Sequence, residues 1–212
     1  MKRVLPEKGL YVVVTSKYAN GRRHEEILPA LLKAGVKMIQ LREKDMNDRE
    51  LYKLARYYRE ETHEAEATLI INDRLDIAMA VDADGVHLGQ DDLPFMIAGN
   101  IWKERIIGVS THSYDEAIHV YGFYPGYINV GPIYPTQTKE HSAQAVGIDT
   151  FKKVLHAVEA PVTVMGGIKS GNLTELLEAG ARRIGVITEV LSAPDIYVAA
   201  RVLEARIQSY GS

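Results

Sequence analysis

The 212-residue chain contains no cysteine. That removes disulfides, thiol nucleophiles and thiolate metal sites, and it suits a reducing cytoplasm. Positive charge is not in excess either: 25 lysines and arginines face 28 aspartates and glutamates, a net charge of -3, so no general nucleic-acid partner is expected. No apolar run reaches the ~18 residues of a membrane span, so no membrane partner is expected. The N-terminal MKRVLPEKGLYVVVTS starts basic, but Pro6, Glu7 and Lys8 interrupt its apolar run and no small-residue cleavage pattern follows. No signal peptide is expected there. Also missing are a Gly-x-Gly-x-x-Gly after the first strand, a His-Glu-x-x-His pair and a Gly-x-Ser-x-Gly elbow, which weakens dinucleotide, zinc and nucleophile-elbow readings.

What is present is alternation. Short β-branched runs at Leu10 to Thr15, Met38 to Glu43, Thr68 to Asn72, Gly85 to Gly89, Ile106 to Ser110, Tyr127 to Gly131, Val162 to Gly166 and Arg183 to Thr188 read as strands. Between and after them, His24 to Lys33, Asp48 to Glu64, Arg74 to Val81, Leu93 to Ala98, Tyr114 to Tyr121, Thr150 to Val158, Asn172 to Ala179 and Asp195 to Ser209 read as helices. Eight βα units predict one (β/α)8 TIM barrel spanning residues 1–212, with a doubly wound open sheet as the alternative. His24, His63, His119 and His156 are expected on helices facing solvent, and His87 inside an apolar strand.

In such a barrel the active site gathers at the C-terminal strand ends. The most distinctive stretch is GPIYPTQTK, Gly131 to Lys139, where a strand feeds a proline-stiffened loop carrying Thr136, Thr138 and Lys139. Two hydroxyls and an ammonium suit a phosphate; a plain surface turn is the alternative. The second strand ends Gln40-Leu41-Arg42-Glu43-Lys44, and a period of two puts Gln40, Arg42 and Lys44 on one side and Leu41 and Glu43 on the other. Arginine suits a bidentate phosphate contact and lysine a point-charge one.

Asp73 and Asp92 end or follow the third and fourth strands, where carboxylates beside phosphate-binding cations suggest Mg²⁺ shared with ligand phosphates. Alternatively Asp73 pairs with Arg74, and Asp92 caps the helix starting near Pro94. Ser110 offers a hydroxyl to a ligand, while Ser113 with Glu116 reads as a helix cap. After the seventh strand Gly167 can admit an anion to backbone N–H groups. A basic, magnesium-assisted region on strands 2 to 4 and a milder one on strands 6 to 8 would suit two phosphorylated small-molecule substrates.

The series QLREK from Gln40, IND from Ile71, ADGVHLGQDD from Ala83, GVSTHS from Gly108, GPIYPTQTK, GGI from Gly166 and the final VIT resembles the thiamine phosphate synthase family, in the family's order and over nearly the whole chain. The resemblance implies a transferase of thiamine biosynthesis that joins a hydroxymethylpyrimidine diphosphate to a thiazole phosphate with release of pyrophosphate. It implies that Gln40, Leu41, Arg42, Glu43, Lys44, Asn72, Ser110 and Lys139 hold the pyrimidine diphosphate, with Arg42, Lys44, Ser110 and Lys139 serving catalysis. Asp73 and Asp92 would hold Mg²⁺; Thr136, Gln137, Thr138, Gly167, Ile187 and Thr188 would hold the thiazole phosphate.

The family's tautomerase branch carries a functional histidine where this chain has Pro132, and a barrel that only binds thiamine phosphate is the remaining alternative. The chain departs from the family pattern at Ser16, where an aspartate is frequent, at His141, and in lacking a frequent proline before Gly147. The many tyrosines and isoleucines suit a core or an interface alike, so a homo-oligomer is left open.

Overall fold

Eight parallel strands close on themselves in sequence order, β1 (Gly9–Val14), β2 (Met38–Leu41), β3 (Thr68–Asn72), β4 (Gly85–Leu88), β5 (Ile106–Thr111), β6 (Tyr127–Val130), β7 (Val162–Met165) and β8 (Arg183–Val186), in a computed structural model that describes residues 5–136, 138 and 144–211. Helices α1 (His24–Lys33), α2 (Asp48–Glu64), α3 (Leu75–Ala80), α4 (Phe95–Ile101), α5 (Tyr114–Tyr121), α6 (Gly147–Ala157) and α7 (Leu173–Glu178) follow β1 to β7, and α8 (Thr188–Leu191) and α9 (Ile196–Ser209) follow β8. The predicted (β/α)8 barrel is the fold, and the closed ladder removes the open-sheet alternative. Two short elements escaped the periodicity: a 3₁₀ turn at Ser16–Tyr18, and α8, which starts at Thr188 where a strand end was expected. Four residues are too few to show a helical repeat.

Local chemistry starts several helices where the pattern predicts them. Asn47 Oδ1 accepts from Glu50 N at 3.1 Å, Ser113 Oγ from Glu116 N at 3.1 Å, and Asp195 Oδ1 from Val198 N at 3.0 Å. Each satisfies an orphan backbone donor of a first turn. Among the described residues no helix is long and apolar enough to cross a membrane.

The strands are hydrophobic on both faces because both are covered. Leu10, Val12, Ile39, Leu69, Ile71, Val86, Val109, Ile128, Val130 and Val164 face the helices in one large cluster, while Tyr11, Met38, Ile70, Ile106 and Tyr127 fill the barrel interior. Interior residues fall into layers. Strand tilt in an eight-stranded barrel offsets neighbouring strands at constant height by about one residue. From Gln40, the partners Ile70 and Gly85, raised for that offset, lead to His87; Gly108 and Tyr127 lead on to Asn129; Thr163 and Arg183 lead to Gly185; and Tyr11 with Met38 returns to Gln40. Gln40, His87, Asn129 and Gly185 therefore share one layer. The same offset puts Val13, Asn72, Ser110 and Met165 in the layer above it, nearer the mouth.

Candidate active site

The floor of the mouth is a chain of buried hydrogen bonds. The Gln40 amide donates to Tyr11 Oη, Tyr11 and Tyr127 hydroxyls lie 2.8 Å apart, Tyr127 Oη is 2.8 Å from His87 Nδ1, and His87 Nε2 is 2.8 Å from Ser110 Oγ. Burial pushes the hydroxyls of Tyr11 and Tyr127 well above the usual tyrosine range, so both stay protonated. The network links Gln40 on β2 to Ser110 on β5, two residues assigned to one ligand from sequence. Tyr11, His87 and Tyr127 were absent from that assignment. Their signal was a polar-tipped ring at an inward position of an otherwise apolar strand.

Charge gathers just above this floor. The Arg42 backbone N–H bonds to Val14 O at 2.9 Å, which fixes the chain as it leaves β2. Among the described residues the half-buried Arg42 guanidinium has no hydrogen bond or ion pair, so a cation stands open at the mouth. Lys44 Nζ lies 3.2 Å from Asp73 Oδ2. Asp73 takes the left-handed backbone at φ +59°, a conformation aspartate tolerates better than most residues. Burial, followed by the neighbouring Asp92 carboxyl, raises the Asp73 carboxyl above its ordinary range, with Lys44 opposing. Asp92 Oδ2 accepts from Gly89 N at 2.6 Å and closes the turn after β4; it does not cap α4, whose N-cap is Pro94. Arg74 is engaged elsewhere, bonding Asp48 at 2.6 Å and Asp76 at 2.6 Å.

Leu41 and Glu43 point away from this cluster. Leu41 packs in the strand–helix layer. Glu43 accepts from Ser16 N at 2.5 Å and Ser16 Oγ at 2.9 Å, and its Oε1 lies 3.1 Å from His24 Nε2, close enough for an ion pair but not aligned as a hydrogen bond. His24 is buried against Tyr58, its Nδ1 2.7 Å from the Tyr58 hydroxyl, which corrects the solvent-facing reading for that histidine. His63, His119 and His156 are exposed as expected. The inward turn of His24 follows from Glu43: a carboxylate taken from water requires a nearby donor or cation.

On the opposite side, Gly131 lies so close to β7 that an added Cβ would meet Met165 O at 2.3 Å. Thr136 and Thr138 hydroxyls lie 3.0 Å apart, and Tyr18 Oη donates to Thr138 O at 2.5 Å. Gly167, at φ +65°, holds its carbonyl on Asn172 Nδ2 at 3.0 Å. Ile187 and Thr188 sit where β8 turns into α8. Gln137 and Lys139 lie outside the described residues. One mouth thus carries Arg42, Lys44, Asp73 and Asp92 on one side and paired threonines with a glycine turn on the other.

The residue pattern of the family described as thiamine monophosphate synthase matches residues 10–190. The chain belongs to that family. It is 38% identical to the thiamine-phosphate synthase of Archaeoglobus fulgidus over 212 residues, covering 100% of this chain and 99% of that protein. It is 42% identical to the Moorella thermoacetica thiamine-phosphate synthase over 200 residues, 94% of this chain and 95% of the other. The solved thiamine phosphate pyrophosphorylase of Pyrococcus furiosus superposes with a TM-score of 0.90 at 32% identity, over 97% of this chain and 98% of that one. The chain is accordingly an enzyme of the thiamine-phosphate synthase type, a transferase acting on phosphorylated small molecules.

The donor set at Asp73 and Asp92 fits magnesium. Among the described residues no three His, Cys, Asp or Glu side chains gather into a cage. A cation there would take one or two carboxylates and complete its shell with water and ligand phosphate oxygens, the habit of Mg²⁺. The raised Asp73 carboxyl marks negative charge that a cation would relieve.

Proposed function

We propose that this enzyme condenses 4-amino-2-methyl-5-hydroxymethylpyrimidine diphosphate with a thiazole phosphate, giving thiamine phosphate and pyrophosphate with Mg²⁺ as cofactor. The observation that carries the reading is the Lys44–Asp73 ion pair with Asp92 beside it at the barrel mouth, on the strand-end side where the half-buried Arg42 guanidinium has no partner among the described residues. The diphosphate would lie among Arg42, Lys44 and Lys139, and the pyrimidine ring would rest on Gln40, Asn72 and Ser110. Thr136, Gln137, Thr138, Gly167, Ile187 and Thr188 would receive the thiazole phosphate. The absence of cysteine supports placing the enzyme in the cytoplasm.

Mg²⁺ held by Asp73 and Asp92 would neutralise charge developing on the leaving diphosphate. Arg42 and Lys44 bind the same oxygens and stabilise them as the carbon–oxygen bond breaks, its electron pair leaving with pyrophosphate. The amino-substituted ring stabilises the resulting methylene cation, and the thiazole nitrogen donates its lone pair to form the new carbon–nitrogen bond. No protein nucleophile is consumed. The remaining work is to orient two substrates and keep water from the cation.

The test is pyrophosphate release by purified protein given Mg²⁺ and both substrates, with Asp92→Ala as control. Release that needs both substrates and collapses in the variant is the expected result. Silence from the unaltered protein would sink the condensation reading and leave tautomerisation of the thiazole phosphate, or binding alone, to be assayed.

A further inference from the structure

We propose that Asn129 is a further ligand-binding residue of this site, donating its side-chain amide to a ring nitrogen of the bound pyrimidine. The proposal rests on the assignment of the pyrimidine diphosphate to strands β2 to β5. Asn129 lies on β6, beyond those strands, but the register places it in the same interior layer as Gln40 and His87. Its neighbours Ile128 and Val130 face the helices, so alternation along the strand turns Asn129 inward. It stands directly below the layer of Asn72 and Ser110.

The polarity of the amide follows from its partner. Thr163 Oγ1 lies 3.0 Å from Asn129 Oδ1, the one hydrogen bond of the Thr163 hydroxyl among the described residues. Thr163 is 0% exposed, so its hydroxyl hydrogen needs a protein acceptor. Among the described residues the Asn129 oxygen is that acceptor, and the amide nitrogen is therefore turned away from Thr163. That nitrogen donates to no protein group among the described residues, although Asn129 is only 4% exposed. Nor is it sealed: among the described residues His24 Nε2 is the buried side-chain atom left without a partner, so the Asn129 nitrogen keeps some exposure to solvent. A nearly buried NH₂ on the inward face of β6, one layer below Asn72 and Ser110, requires an acceptor. With the diphosphate held by cations at the mouth, the ring is the part that descends to this layer, and a diazine ring carries acceptor lone pairs in its own plane.

The decisive measurement is the affinity for the pyrimidine diphosphate in Asn129→Ala and Thr163→Val, beside thermal melting and KM for the thiazole phosphate. Asn129→Ala is expected to weaken pyrimidine diphosphate binding about 10-fold and to leave the thiazole phosphate KM within about twofold. Thr163→Val, which frees the amide to rotate, is expected to weaken it by about threefold and to add nothing to Asn129→Ala. Unchanged pyrimidine affinity in a folded Asn129→Ala would overturn the proposal.

Should that variant not fold, the side-chain amide resonance of Asn129 in the unaltered protein reads the same contact: a shift on adding the pyrimidine diphosphate supports it, and none overturns it. A shift in a protein that releases no pyrophosphate would leave this contact standing while the condensation reading falls.

Discussion

Asp73 and Asp92 set two carboxyls against each other just beyond the neighbouring strands β3 and β4, with Lys44 3.2 Å from the first. The arrangement is costly without a cation. Burial first, then Asp92, raises the Asp73 carboxyl, so ionising it at neutral pH works against the fold. Asp92→Asn keeps an acceptor for Gly89 N–H but removes one charge. In magnesium-free buffer this variant should melt about 1–2 °C above the unaltered protein. It should lose the further stabilisation that Mg²⁺ and the pyrimidine diphosphate together confer, and pyrophosphate release should fall by at least about 100-fold. A variant that melts lower and still turns over would show that the pair serves the fold alone.

Tyr18 reaches across the mouth. Its hydroxyl donates to Thr138 O at 2.5 Å, and its own carbonyl accepts from Ser192 Oγ at 2.9 Å, so the turn after β1 is tied to the loops after β6 and β8. Tyr18→Phe deletes only the first tie. About 1 kcal/mol of positioning should be lost. The expected signature is a thiazole phosphate KM raised about fivefold with the pyrimidine diphosphate KM unchanged. Equal rises in both would mean that the turn supports the barrel rather than the threonine pair.

The barrel was legible because its signal is repeated. Each strand and its helix bury apolar faces of different period, and eight repetitions leave little freedom of arrangement. The charged residues of the mouth were legible for a related reason: Arg42, Asp73 and Asp92 stand at or just beyond strand ends, where polar groups need a purpose. What could not be read are contacts between residues distant in sequence. Arg22 donates to Leu191 O, Ala193 O and Pro194 O and so covers the carbonyl end of α8. His24 looked like a surface residue because α1 is amphipathic, and only the fold reveals Glu43 beside it. The Gln40–Ser110 relay joins five strands, and no local window contains it.

Glu43 should leave a mark on stability against pH. Burial alone would raise its carboxyl, but contacts from His24 and hydrogen bonds from Ser16 outweigh burial and hold it below the ordinary value. A carboxyl lowered on folding contributes stability above its unfolded pKa, about 4.3, and that contribution disappears as pH falls through the folded value. Glu43→Gln should therefore cost about 1–2 kcal/mol near neutral pH, and the gap in melting temperature should close as pH drops below about 4. A gap that is constant with pH would assign the loss to packing rather than charge.

Gly167 offers a test of the second phosphate region that can be separated from general loop damage. Its φ of +65° is unfavourable for any residue with a Cβ, and a Cβ there would stand 2.7 Å from Tyr134 Cβ and 2.8 Å from both Tyr134 O and Pro135 O. Two of those atoms are backbone of the loop that carries Thr136, so Gly167→Ala must push the two phosphate-region loops apart. The expected cost is about 1–3 kcal/mol of stability. The thiazole phosphate KM should rise more than about 10-fold while pyrimidine diphosphate affinity is held. Gly171 lies four residues on, and an added Cβ there meets nothing within 4 Å. Gly171→Ala should leave both KM values and the melting temperature unchanged. If the two substitutions behave alike, the turn after β7 has no special bearing on the phosphate; if only Gly167→Ala loses the thiazole phosphate, the close fit between the loops after β6 and β7 is what shapes that site.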